Sequence, residues 1–261
     1  MRTSILSRLA AAVVALSAAT AAHAQGFATA NVQILQAWNM NDPLLGNNPS
    51  NGDQTVVTFN YFGTHAFGDL LMFVDLNRAR GHFDPRFPGD PAAGGDSHVY
   101  GEVQPRFGIN KILGREGPIA IFKDFGPAFE LNQGENFYAY LGGVGGDFNL
   151  PGPYVAGLNL YYRYDKFVKD TWQATAYWGV PVDLGFTTLS LQGFADFSGY
   201  KTDAPGGDDG LDIVTQPQLV FDVLKHMGKP GLLWAGAEWY VHVNPNRDMQ
   251  SLQAMLQWTL R

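Results

Sequence analysis

The chain has 261 residues, no cysteine, 31 glycines and 15 prolines, and its 18 Phe, 11 Tyr and 6 Trp stand beside only 16% charged residues. The lack of cysteine excludes disulfide frameworks and thiolate metal sites, and 17 Lys+Arg against 24 Asp+Glu excludes a surface built to neutralise nucleic-acid phosphates, which needs clustered positive charge. Soluble domains carry about 25% charged residues, so this much apolar and aromatic surface needs a destination other than an ordinary core.

Residues 1–24 have the pattern of a cleaved signal peptide. Arg2 and Arg8 form the positive n-region, a short apolar run follows, and Ala22-His23-Ala24 is a small-x-small cleavage site. The run is shorter than the roughly 20 residues a spanning helix needs. Residues 25–261 form the expected mature domain, with 15 basic and 24 acidic residues and a net charge of −9. No second long apolar run follows, so an exported protein is expected, either secreted or embedded in the outer membrane through strands.

In chain order, strands are predicted to start near Asn31, Thr55, Phe67, His98, Ile119, Asn136, Tyr154, Thr171, Thr187, Ile213, Leu232 and Met249. Several alternate cleanly, with period two. From Phe67, Leu70, Met72, Val74 and Leu76 oppose Asp69, Leu71, Phe73 and Asp75. From His98, Val99, Gly101, Val103, Pro105 and Phe107 oppose His98, Tyr100, Glu102, Gln104 and Arg106. Near Tyr154, Ala156, Leu158, Leu160, Tyr162 and Tyr164 oppose Asn159, Tyr161, Arg163 and Asp165. After Phe186, Leu189, Leu191, Gly193, Ala195 and Phe197 oppose Ser190, Gln192, Phe194 and Asp196. From Leu232, Leu233, Ala235, Ala237, Trp239 and Val241 oppose Trp234, Gly236, Glu238, Tyr240 and His242. The last strand opposes Leu252, Ala254, Leu256, Trp258 and Leu260 to Ser251, Gln253 and Gln257.

A soluble β-sandwich alternates too. Three features favour a transmembrane antiparallel up-and-down β-barrel of about twelve strands: charges of both signs in mid-strand, segments of about ten residues, and aromatics near strand ends (Trp38, Phe62, Phe107, Tyr164, Phe197, Trp258) placed like an interfacial girdle. An even count puts both termini on the periplasmic side. The links Asn39–Asp53, Asn77–Ser97 and Gly199–Asp212 are then extracellular, and Gly63–Ala66 and Phe148–Pro153 are short periplasmic turns.

Four segments carry a family resemblance: EVQPRFGINKI (Glu102–Ile112), FYAYLGGVGGDFNLPGP (Phe137–Pro153), LNLYYRYDKF (Leu158–Phe167) and LSLQGFADFSG (Leu189–Gly199). They resemble the nucleoside-specific channel-forming outer-membrane family called Tsx, or OmpK. The resemblance implies a twelve-stranded monomeric barrel in the Gram-negative outer membrane that passes nucleosides, in some members also a phage or colicin receptor. The chain departs from that pattern at its end, where Leu260 and Arg261 stand in place of a terminal aromatic residue.

A barrel of this size is expected to have a narrow lumen. Aromatic faces for a base, with amides, carboxylates and Arg for a sugar, would suit a neutral nucleoside. The inward candidates for solute contact are Asp69, Phe73, Asp75, Tyr100, Glu102, Gln104, Arg106, Tyr161, Arg163, Phe194, Asp196, Glu238 and Tyr240, with Glu102 and Arg106 read together as members of a lumen charge network. His98 and His242 lack the spacing of a metal set, Asp203–Asp212 lacks calcium-loop spacing and Gly142–Asp147 is not a phosphate loop. No catalytic residue, metal or cofactor is expected. The expected partners are outer-membrane lipid, lipopolysaccharide, small solutes and the barrel assembly machinery, with no nucleic acid. The alternatives are a structural, adhesion or phage-receptor barrel that transports nothing, and an outer-membrane lipid hydrolase. The histidines His65, His82, His98, His226 and His242 sit in no recognisable nucleophile motif.

Overall fold

The computed structural model describes residues 27–38, 40, 53–79, 97–134, 137–152, 154–166, 169–201, 209–245 and 247–260. The expected signal peptide, most of the links Asn39–Asp53 and Asn77–Ser97, the acidic segment before Asp209, and the side chain of His98 lie outside them.

The strands are β1 (Ala28–Ala37), β2 (Gln54–His65), β3 (Gly68–Ala79), β4 (Ser97–Phe107), β5 (Phe122–Gly134), β6 (Tyr138–Phe148), β7 (Val155–Asp165), β8 (Lys169–Asp183), β9 (Thr188–Tyr200), β10 (Gly210–Thr215), β11 (Gln218–Asp222), β12 (Leu233–Asn244) and β13 (Arg247–Leu260). Each pairs antiparallel with its sequence neighbour, except that β10 and β11 lie end to end between β9 and β12. β13 pairs back onto β1, from Ala30↔Leu260 to Ala37↔Gln253, and closes the sheet. The result is an all-β, twelve-stave antiparallel barrel. Closure leaves no edge strand with unpaired backbone groups.

The split in the tenth stave has a local cause. Pro217 has no N–H to donate to the ladder, and Gly193 on the neighbouring strand has φ +147°, with Gln216 O where a Cβ would stand. Pairing resumes in the same register on both sides.

Cross-strand partners share a face, so the register assigns every side chain to the inside or the outside. Outside, large apolar residues are left exposed along nearly every stave, among them Ile34, Val103, Phe129, Leu131, Val144, Leu160, Leu191, Leu219, Leu252 and Leu256. Aromatics flank this belt: Trp38, Tyr140, Tyr162, Tyr164 and Trp172 toward the end away from the termini, and Tyr154, Phe186 and Trp258 toward the end that carries them. At that same end the Phe122 and Phe148 rings stack at 5.2 Å. Of the expected girdle, Phe62 is a correction: it pairs with Leu71, which pairs with Gln104, and so belongs to the inner face.

Inside, Leu35, Val56, Val220 and Met255 form an apolar cluster with Trp234 against it, flanked by the buried amides of Gln33, Gln54, Gln253 and Gln257. Inward charges lie mostly from β3 to β9, with Asp212 on β10, Asp222 on β11 and Glu238 on β12 beside them. The strand expected near Ile119 begins at Phe122, and Ile119 only bridges to it. The link before it holds a short helix, α1 (Ile109–Leu113), which no periodicity announces in five residues. Asp124 accepts from its first free backbone N–H groups, Asn110 N at 3.0 Å and Lys111 N at 3.3 Å.

Candidate functional site

The strand register puts all thirteen candidate residues on the inner face. They do not form one cluster. Three groups stand at different heights.

Nearest the termini, Arg106 on β4 gathers residues from three other staves. Its Nη2 lies 2.7 Å from Asp69 on β3 and 2.7 Å from Asp147 on β6, and its Nη1 donates to the Tyr177 hydroxyl on β8. Tyr177 in turn donates to Asp147, and the guanidinium sits 5.5 Å from the Tyr177 ring centre. Lys111 of α1 folds back to Asp69 at 2.9 Å. The reach of Tyr177 depends on Gly157, which stands between it and Asp147 in the register. A Cβ at Gly157 would fall 2.0 Å from the Tyr177 hydroxyl oxygen. Charge-assisted contacts to several partners at once fix geometry as well as energy.

Glu102 and Arg106 share a face but are not partners: four residues along a strand span about 13 Å. Glu102 instead accepts from Tyr100 and Gln104, each at 2.5 Å.

The middle group holds that carboxylate, with Asp75 accepting from Thr58 at 2.6 Å, Asp196 accepting from Thr175 at 2.6 Å, and Arg163 paired to Asp165 at 3.0 Å and donating to Gln173. An aromatic ladder runs beside it: Phe73 to Tyr100 at 6.0 Å, Tyr100 to Phe137 at 6.2 Å, and Arg163 over Phe137 at 5.9 Å. Tyr161 packs with Ala128, Ala139 and Leu141. On the other side Glu238 accepts from Gln218 at 2.7 Å and Gln253 at 3.0 Å, extended by Gln192 to Gln218 at 2.8 Å.

Toward the far end Asp212, an expected loop residue, lies on β10 and meets His242 at 2.9 Å and Asn244 at 2.8 Å. Tyr240 packs with Ala37, Met40 and Met249. Phe194 pairs with Tyr177 across β8 and β9.

In mid-barrel the inward side chains of Glu130, Gln173, Ser251 and Gln253 expose at most 2% of their surface. Glu130 is also the residue that the candidate set lacks. Its alternation was visible, since Glu130 and Asn132 oppose Phe129, Leu131 and Gln133 in the sequence. Asp147 and Tyr177 are further additions. Asp147 ends a glycine run in which alternation of polarity has nothing to act on, and Tyr177 sits between Ala176 and Trp178, where both faces are apolar. Among the described residues no group of three or more His, Asp or Glu is placed to hold a metal ion.

No protein-family model matches the chain, and no curated protein matches it in sequence. Solved structures resemble it at low similarity. The β domain of the Bordetella autotransporter BrkA has 10% identity and a TM-score of 0.39, over 90% of this chain and 100% of that one. OccAB3 of Acinetobacter baumannii has 9% identity and a TM-score of 0.33, over 89% of this chain and 99% of the other. A BenF-like porin from Pseudomonas fluorescens Pf-5 has 11% identity and a TM-score of 0.30, over 91% and 99%.

Proposed function

We propose that the chain is a passive outer-membrane channel for small neutral solutes, with nucleosides as the best-fitting class. The observation that carries this reading is the inversion of polarity: a closed barrel exposes an apolar belt with aromatic ends outward and a charged, amide-rich and aromatic strip inward. Only a closed barrel or a helix satisfies its backbone within lipid, and among the described residues no helix is long and apolar enough to cross a membrane. The Phe73–Tyr100–Phe137 ladder offers ring faces, and the neighbouring Gln104, Asp75 and Glu102 offer sugar-binding groups. Weak binding at several such positions favours both entry and release. Export by a cleaved signal peptide, a monomeric state, assembly by the barrel machinery and contact with lipopolysaccharide belong to the same proposal.

The deep burial of the inward Glu130, Gln173, Ser251 and Gln253 favours a second reading, a structural or receptor barrel that conducts nothing. Planar-bilayer recording separates the two. A channel gives small discrete conductance steps that fall when uridine or adenosine is added; a filled barrel gives none, and steps indifferent to nucleosides point to another solute.

A further inference from the structure

We infer that the notch between β8 and β9, at the end of the barrel away from the termini, is a lipid site that takes the acylated, phosphorylated sugar head of lipopolysaccharide. The inference rests on the outer-membrane placement proposed above, not on the lumen being a solute path, and it names where the lipopolysaccharide contact is made.

The ladder between β8 and β9 ends at Gln173↔Ser198. Both strands continue past that pair, β8 with β7 as far as Lys169 and β9 with β10 as far as Tyr200. The wall parts there, and the Thr171 hydroxyl spans the gap by donating to the Gly199 carbonyl at 2.9 Å. A cleft of about 390 Å³ lies in the parting. Tyr162, Asp170 and Trp172 border it on one side, and Gly199, Lys201 and Asp209 on the other.

The character of the cleft changes with height. Tyr162 and Trp172 are cross-strand neighbours on the outer face, 60% and 49% exposed. Gly199 continues their row on the next stave, and a Cβ there would fall 3.2 Å from the Trp172 Nε1. The missing side chain leaves the indole edge open to the cleft. Toward the middle of the barrel, Leu160 and Phe197 carry on the outward apolar belt. Toward the rim stand the exposed Asp170, Lys201 and Asp209. Asp170 accepts from the Tyr162 hydroxyl, whereas Lys201 has no partner among the described residues.

An occupant has to match that order of surfaces. Acyl chains lie on the belt below. The flat C–H face of a sugar ring packs on exposed Trp and Tyr rings, which hold such amphipathic positions at a membrane boundary. Its hydroxyls donate to the carboxylates, and a phosphate meets the unpaired Lys201 ammonium. A phospholipid supplies the chains and the phosphate without the ring, and a free sugar supplies the ring without the chains.

The test is titration of the purified full chain in detergent with lipid A, with the bound fraction read by native mass spectrometry. Saturable binding is expected, weakened about tenfold by Trp172→Ala and by Lys201→Gln, the loss of an anchoring contact in each case. Trp172→Tyr keeps a ring and should bind better than Trp172→Ala, and Trp258→Ala, outward at the opposite end, should leave binding unchanged. Phosphatidylglycerol, which has no sugar ring, should bind about tenfold more weakly than lipid A. Lys201→Gln alters one exposed side chain, so the test does not depend on the folding of Trp172→Ala. No saturable binding of lipid A, equal binding of phosphatidylglycerol, or full binding by Lys201→Gln and by folded Trp172→Ala each overturns the inference. Conductance of the same preparation is an independent readout: conductance without lipid A binding removes the site and leaves the channel, and lipid A binding without conductance does the reverse.

Discussion

Arg106 is the residue on which the termini-side half of the inner wall converges. Its ion pairs are partly buried, and removing the shared cation strands the others, at a cost that approaches the roughly 3–5 kcal/mol of a fully buried pair. Arg106→Met should lose stability on that scale in urea unfolding, since Asp69 and Asp147 then face each other without their shared cation. Tyr177→Phe keeps the ring and deletes one hydroxyl, so a loss of about 1–3 kcal/mol is expected. Gly157→Ala should cost a similar amount by displacing the same hydroxyl, and the double variant should lose little more than either single one because both remove the same hydroxyl's contacts to Arg106 and Asp147. Independent, additive losses would show that Gly157 does not act through Tyr177. The inward placement of Arg106 was legible from alternation alone. Its partners were not, because they lie on other staves and contact order is invisible to a pattern of period two.

At the level of the strands, much was legible for a physical reason. A barrel wall separates two solvents, so each strand writes its polarity in steps of two, and the residues of β3, β4, β7, β9 and β12 that alternate in the sequence fall on the faces so assigned. What failed to show were features without that period: α1, the interruption at Pro217, and the glycine-rich inner face of β6. The belt itself gives a depth-dependent expectation. Arg at Leu160, mid-strand on the outer face, should destabilise the barrel by about 2–4 kcal/mol when folded into liposomes, and Arg at Tyr164, near the strand end, by about 0–1 kcal/mol. Equal costs at the two positions would argue against a lipid-facing belt. Gly193→Ala should cost about 1–3 kcal/mol in unfolding, because its φ of +147° and the Gln216 carbonyl 2.4 Å from a new Cβ leave no unstrained arrangement.

Over the whole molecule, the small charged fraction and the abundance of aromatics have found their places: apolar side chains outward, rings at the belt edges and along the inner ladder, charges on the inner face. On the inner face at mid-barrel Asp75, Glu102, Glu130, Asp196 and Glu238 stand against the single cation Arg163 among the described residues. Like charge raises the cost of entry, so uridine monophosphate should block or permeate more weakly than uridine. The measurement that tests the central claim most directly is single-channel recording of the purified full chain in planar bilayers, with and without uridine. The account expects small, discrete conductance steps that uridine reduces in a saturable way; the complete absence of steps from correctly folded protein would contradict it.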